Sequence, residues 1–210
     1  MSCAFCAKPL GCDWVGRQVC AACGSPQSVA GTETYFSVLS VAARFHPDLS
    51  VLEKNFYRLS RALHPDRFTS ASADVQAASL ERMSLLNDAY RVLKHPAELR
   101  EYFLQLQRLP TTAKVQIPME LAENWFELQE AVLEEPQKAA GLLCQFEEIL
   151  RQKGEAASVE LRGIELEINR ALDQEKQTSE LFGKLARSIQ NQAYLTSLQR
   201  DTLAFKKRLG

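Results

Sequence analysis

The chain has 210 residues, is 46% hydrophobic, and balances 25 basic against 26 acidic side chains for a net charge of -1. Such a length and apolar content suit one substantial core or two small ones and argue against disorder as the main state. With a pI near 6.3 there is no global attraction to phosphate backbones, so nucleic-acid binding would need a local basic patch; no apolar run reaches bilayer-crossing length or resembles a signal-peptide core.

Cys3-Ala4-Phe5-Cys6 and Cys20-Ala21-Ala22-Cys23 open the chain as two similar turns, each offering two sulfurs. Paired C-x-x-C motifs can close a tetrahedral thiolate site of the kind Zn2+ prefers, so Cys3, Cys6, Cys20 and Cys23 are the expected metal ligands. Their spacing resembles a zinc ribbon or rubredoxin-like knuckle pair, with iron or an iron-sulfur cluster as the rival occupant. Residues 1–26 are too few to bury a core of their own, and metal binding, on the order of 10 kcal/mol or more in small zinc peptides, would supply their folding energy. Disulfides or a redox dithiol are disfavoured by an intracellular setting and by the absence of a strand-helix unit. Cys12 lacks a paired neighbour and reads as a bystander; Cys144, on an apolar helical stripe, reads as a small core residue. Residues 27–33 are poor in large apolar side chains and read as a linker that lets the module move.

Helical periodicity begins at Thr34. A short helix to about Phe45 precedes one over 51–63, in which Leu52, Phe56, Leu59 and Leu63 form a buried stripe and Lys54, Arg58 and Arg61 a basic one. Ser50 and Glu53 fit a capping box at its start. Pro65 ends it, because a proline lacks the amide proton a helix interior needs and forces the preceding residue out of the α region. His64 and Asp66 are thereby held on a stiff, exposed turn. A longer helix from about Ala73 to Leu93 returns with Leu86, Ala89, Tyr90 and Leu93 against the first, giving two antiparallel helices joined by that turn. A further helix over 97–109 carries Leu99, Phe103 and Leu106 and stops before Pro110.

Residues 110–118 read as a connector, and beyond them the pattern is helical throughout. Met119 to Glu134 places Leu121, Trp125, Leu128 and Val132 on one stripe and Ala122, Phe126 and Leu133 on an adjoining one, wider than one packing seam requires. A second helix from Pro136 is weakened at Gly154, and a third runs over 179–209, so a three-helix bundle is expected. The fold class is all-α.

Tyr35-Phe36-x-x-Leu39, then Leu63-His64-Pro65-Asp66-Arg67-Phe68, then Asn87-Asp88-Ala89-Tyr90-Arg91-x-Leu93 together resemble a J domain, here 34–109. The resemblance implies a co-chaperone that stimulates ATP hydrolysis by a DnaK-type chaperone, with His64, Pro65, Asp66, Lys54, Arg58 and Arg61 meeting that partner. A second His-Pro-Asp at His46-Pro47-Asp48 leads into the basic helix, and the later copy, at its exit, is the one matching the family's trigger. A J domain followed by a connector and a bundle over 119–210 is similar to HscB-type co-chaperones, which deliver an IscU-type iron-sulfur scaffold to an HscA/DnaK-type chaperone. Carried over by position, the family's scaffold contacts fall on Ala122, Phe126, Glu127, Glu130 and Tyr194, while Glu123 stands where relatives often have an apolar residue. The paired C-x-x-C module resembles the extension of eukaryotic and some bacterial relatives.

These observations make a bacterial cytoplasmic protein the expectation, with the mitochondrial matrix as the alternative, acting as a monomer or weak dimer without membrane or nucleic-acid partners. A general J-domain co-chaperone for another client and a nucleic-acid-binding zinc ribbon are the competing functions. An enzyme using His64 and Asp66 as an acid-base pair would need a nucleophile motif or cofactor loop, and the sequence offers neither.

Overall fold

The computed structural model describes residues 2–11, 13–109, 119–134 and 136–209. Among these the regular elements are helices, with two isolated β-bridges, Ser2 with Pro9 and Val19 with Pro26, confined to the cysteine turns. The chain divides into two compact units, Met1–Tyr102 and Phe103–Gly210. Cys12 and the connector expected at 110–118 lie outside the described residues.

In the first unit, Asp13 caps the short helix α1 (Trp14–Gln18), its Oδ1 accepting from the Gly16 amide at 3.0 Å. Thr34 and Ser37 form a reciprocal capping box for α2 (Tyr35–Leu39). This helix is shorter than its periodicity predicts. Ser40 takes a left-handed conformation at φ 49°, and the Val41 amide turns back to the Phe36 carbonyl at 3.0 Å, closing a Schellman-type end. Phe45 is buried all the same, from a loop rather than a helix.

The basic helix α3 (Leu49–Leu63) begins two residues before its predicted start, and its cap is not the Ser50/Glu53 box. Asp48 Oδ1 accepts from the amides of Ser50 at 2.9 Å and Val51 at 3.3 Å and from the Ser50 hydroxyl at 2.7 Å. A carboxylate there is a stronger acceptor for first-turn amides than a hydroxyl, and it complements the helix dipole. After α3 a 3-10 turn over Pro65–Phe68 leads to α4 (Ala73–Lys94). Leu52, Leu59 and Leu63 of α3 and Leu86, Ala89 and Leu93 of α4 are all buried, and the two helices pack against each other. Phe56, expected inside, is only half-buried and stacks on Tyr90 with ring centroids 4.3 Å apart. In α5 (Pro96–Leu106), the Tyr102 hydroxyl accepts from the Tyr35 amide at 2.8 Å and its ring stacks on that of Tyr35. Leu106 is exposed, and Leu104 takes its place among the buried residues.

In the second unit α6 (Met119–Glu134), α7 (Pro136–Asp173) and α8 (Ser179–Leu209) bury Leu121, Leu128, Leu143, Phe146, Leu150, Ala157, Leu195 and Leu198 in one cluster. The break expected at Gly154 does not occur: α7 is continuous over 38 residues. One glycine costs a helix only about 1 kcal/mol, too little to break α7; a Cβ on Gly154 would meet only the end of the Gln199 side chain, at 3.2 Å. Cys144 is also a correction. It is exposed, because the inward line of α7 runs through Leu143, Phe146 and Leu150 and leaves position 144 turned about 100° away.

Candidate metal centre and docking surfaces

The two cysteine turns have the same backbone. Cys3 N–H reaches Lys8 O at 2.8 Å and Ala7 N–H reaches Cys3 O at 3.0 Å; in the second turn Cys20 N–H reaches Ser25 O at 2.9 Å and Gly24 N–H reaches Cys20 O at 2.8 Å. Ala7 and Gly24, each following the second cysteine of its pair, both have positive φ, 59° and 74°. The repeat brings four sulfurs together. Cys3 and Cys23 Sγ are 3.7 Å apart, Cys6 and Cys20 Sγ 3.8 Å, and all four lie within 4.8 Å of one another. Sulfurs about 2.3 Å from a central tetrahedral ion would be separated by about 3.8 Å, so the donor set fits a metal ion as it stands.

The crowding of the sulfurs perturbs their thiols in both directions. Burial pushes the Cys3 thiol up, but hydrogen bonds from the Phe5 and Cys6 amides, the Gln27 side chain and Cys6 outweigh it and bring it to about 6. For Cys6 the Lys8 amide acts downward, while desolvation and the crowding of Cys23, Cys3 and Cys20 push it up to about 12. Cys23 is lowered, first by the Ser25 hydroxyl and then by its amide. With Cys3 and Cys23 lowered and Cys6 raised, the crowded sulfurs resist carrying negative charge together, and a bound dication would relieve that repulsion.

The segment after the second turn is gripped, not loose, which corrects the reading of 27–33 as a mobile linker. Arg82 of α4 is only 2% exposed; its Nε donates to Gln27 O at 2.6 Å, one Nη to Ser28 O at 2.6 Å, and both Nη atoms to the Glu33 carboxylate at 2.5 and 3.0 Å. Gln18 Nε2 donates to Val38 O at 2.9 Å, and the Arg58 guanidinium lies over the Trp14 ring at 5.7 Å from its centroid. A buried arginine must satisfy its donors where it sits, and the carbonyls of 27–28 are what it finds.

The His64-Pro65-Asp66 turn is open to solvent, with the His64 and Asp66 side chains 50% and 86% exposed. His64 Nδ1 accepts from the Asp66 amide at 3.3 Å and also lies 3.5 Å from Asp66 Oδ2, contacts that stiffen a turn whose carboxylate is still open to solvent. Lys54, Arg58 and Arg61 are all exposed, and neither Lys54 nor Arg61 forms an ion pair among the described residues. The earlier His46-Pro47-Asp48 is built differently. His46 has a left-handed φ of 57°, Pro47 is buried, and the Asp48 carboxylate is committed to capping α3.

On α6 the stripe through Leu121 and Leu128 is the buried one. Met119, Phe126 and Leu133, seven residues apart, are 75%, 62% and 85% exposed, with Glu123, Glu127 and Glu130 exposed beside them and Ala122 half-buried. Tyr194 is not on that line; it sits on α8, half-buried against the bundle core, where burial raises its hydroxyl pKa.

Sequence reasoning missed Gln27, Arg82 and Ser79. The signal for Arg82 was present: with Val75, Ala78, Ser79, Leu86, Ala89 and Leu93 it falls on the buried line of α4, where a charge demands a partner. For Gln27 there was none beyond its place next to Pro26.

No family model matches the chain. A co-chaperone HscB homolog of Shewanella loihica is 36% identical over 73 residues, 35% of this chain and 42% of that protein. One from Vibrio parahaemolyticus is 35% identical over 99 residues, 46% of this chain and 57% of that protein. The chain thus spans about half the length of the curated relatives it matches. The crystal structure of human co-chaperone protein HscB shares the fold, with a TM-score of 0.65 over 98% of each chain at 21% identity. The chain is thus similar in sequence, over part of its length, to co-chaperone HscB homologs and similar in fold, over nearly all of it, to human HscB, with four clustered cysteines in paired C-x-x-C turns at its front.

Proposed function

We propose that this protein activates the ATPase of a DnaK/HscA-type chaperone and brings to it an IscU-type iron-sulfur scaffold. In this reading residues 34–109 work as the J domain. His64, Pro65 and Asp66 press on the chaperone's ATPase domain while Lys54, Arg58 and Arg61 align with its acidic surface. The chain performs no chemistry itself. The observation that carries the reading is the exposed His64-Asp66 pair on the turn after a helix whose Lys54 and Arg61 make no ion pair among the described residues: a charged surface open for a partner.

The scaffold would sit on the second unit, over Ala122, Phe126, Glu127 and Glu130, with Tyr194 contributing from α8. An apolar line with an acidic rim, exposed to water and unused by the bundle core, supports that assignment. Holding cargo and ATPase on one molecule couples delivery to turnover through effective concentration. Zn2+ is the ion we assign to Cys3, Cys6, Cys20 and Cys23, as a closed structural centre. No helix among the described residues is long and apolar enough to cross a membrane, and we assign the protein to the bacterial cytoplasm.

Affinity capture from cell extract tests the pairing. Recovery of an iron-sulfur scaffold together with a DnaK-type chaperone is expected, and Phe126→Ser should lose the scaffold while keeping the chaperone. Recovery of the chaperone with clients unrelated to iron-sulfur assembly would contradict the delivery role.

A further inference from the structure

Gln27 lies at the join between the cysteine turns and the J-type helices, and each of its polar groups is used. It is 6% exposed. Its Nε2 donates to Cys3 Sγ at 3.3 Å and to Ser25 O at 3.0 Å, and its Oε1 accepts from the Ala4 amide at 3.0 Å, so one side chain fastens the first turn to the second. Its own amide donates to Gln18 O at 2.8 Å, and its carbonyl accepts from Arg82 Nε. Arg82 in turn stands one helical turn from Ser79, whose hydroxyl donates at 2.6 Å to the carbonyl of Leu63, the residue before His64.

We propose that Gln27 is a positioning residue of the tetracysteine centre, and that through Arg82 it makes metal loading and the order of the J-type helices one coupled equilibrium. The proposal rests on reading the four cysteines as a metal site, and not on the identity of the chaperone. An N–H aimed at a ligating sulfur stabilises its thiolate form and fixes its direction, and such outer contacts are typically worth about 10- to 100-fold in metal affinity. The coupling follows from what an unloaded centre does to the chain. Without an ion nothing draws Cys3 and Cys6 toward Cys20 and Cys23, the two turns that Gln27 bridges are free to part, and residues 27–33 lose the anchor that presents two carbonyls and Glu33 to Arg82. Arg82 is then a buried cation short of acceptors, on the same face of α4 that supports the His64-Pro65-Asp66 turn. Linkage is reciprocal: whatever factor metal adds to the order of α4, an ordered α4 adds to metal affinity.

Two measurements on the full chain test this, with cobalt(II) as the probe ion. In competition against a chelator, Gln27→Met, which keeps volume and removes the donors, should bind cobalt about 10- to 100-fold more weakly. Its cobalt-thiolate charge-transfer absorption should shift, a signature that loss of packing alone would not give. Hydrogen exchange of the native protein with and without metal should show slower exchange over 27–38 and 73–86 when loaded, and Arg82→Lys, which keeps the charge but not the fork, should reduce both that difference and the metal affinity. Cobalt affinity and spectrum unchanged in Gln27→Met would overturn the positioning role, and exchange over 73–86 indifferent to metal would overturn the coupling. Neither result depends on ATPase activation, so a failure here is separable from a failure of the co-chaperone reading.

Discussion

The Ser79 hydroxyl donates to the Leu63 carbonyl at 2.6 Å inside the first unit. Leu63 ends α3, and the amide that would continue the helix toward it is used elsewhere, since Arg67 N–H goes to His64 O. Ser79 therefore satisfies an otherwise open helix end and ties α4 to the base of the exposed turn. Replacing it with alanine leaves a buried carbonyl without its partner. Ser79→Ala should lower stability by about 1–3 kcal/mol, read as a lower urea midpoint at unchanged slope.

Asp48 gives the first helix of the hairpin a pH dependence of known sign. Its carboxyl is held below the ordinary 3.8, first by the Ser50 hydroxyl and then by the amides of Val51 and Ser50. A depressed carboxyl contributes its stability in full above the unfolded value and gives it up as pH falls through the folded one. Exchange protection of the first turn of α3 should therefore be flat from neutrality to about pH 4 and decline below it. Asp48→Asn, which still caps, should remove the decline.

The cysteine turns place alanine and glycine in equivalent left-handed positions, with Ala7 at φ 59° and Gly24 at φ 74°. Such a backbone disfavours a side chain by roughly 1–2 kcal/mol. On the proposal that ion binding supplies the folding energy of this module, Ala7→Gly should tighten zinc and Gly24→Ala should weaken it, each by about an order of magnitude in a chelator competition. Equal affinities in both variants would show that the turns are not strained where they coincide.

Phe126 is 62% exposed on α6 and outside the bundle core. Phe126→Ser should leave the thermal unfolding midpoint within about 2 °C of native, as surface changes usually do. Its expected effect is on binding, with scaffold affinity falling tenfold or more as an exposed aromatic anchor would require. Calorimetry on the same preparation reads both quantities.

The helices and their apolar stripes were legible in the sequence because period is a local signal, as at Leu52, Leu59 and Leu63, whereas the cap was not: Asp48 takes the place expected of Ser50 and Glu53. The cysteine cluster was legible for the same reason: paired turns at short spacing bring Cys3, Cys6, Cys20 and Cys23 together. Where tertiary context decides, the sequence misled. Gly154 reads as a weak point because helix propensity is a local signal, while α7 runs through it as one helix packed in the bundle. Residues 27–33 read as slack because the arginine that grips them is on α4, and Cys144 reads as core because its stripe does not show which edge is covered. On α6 the adjoining line of Ala122, Phe126 and Leu133 was visible as more apolar surface than one seam needs; Phe126 and Leu133 are exposed and Ala122 is half-buried.

Single-turnover ATP hydrolysis by a purified DnaK-type chaperone tests the central claim most directly. The native protein and Asp48→Asn should accelerate the step, because the earlier His-Pro-Asp only caps a helix, whereas His64→Gln and Asp66→Asn should leave the chaperone at its basal rate while still folding and binding metal. Acceleration by His64→Gln equal to that of the native protein would contradict the account.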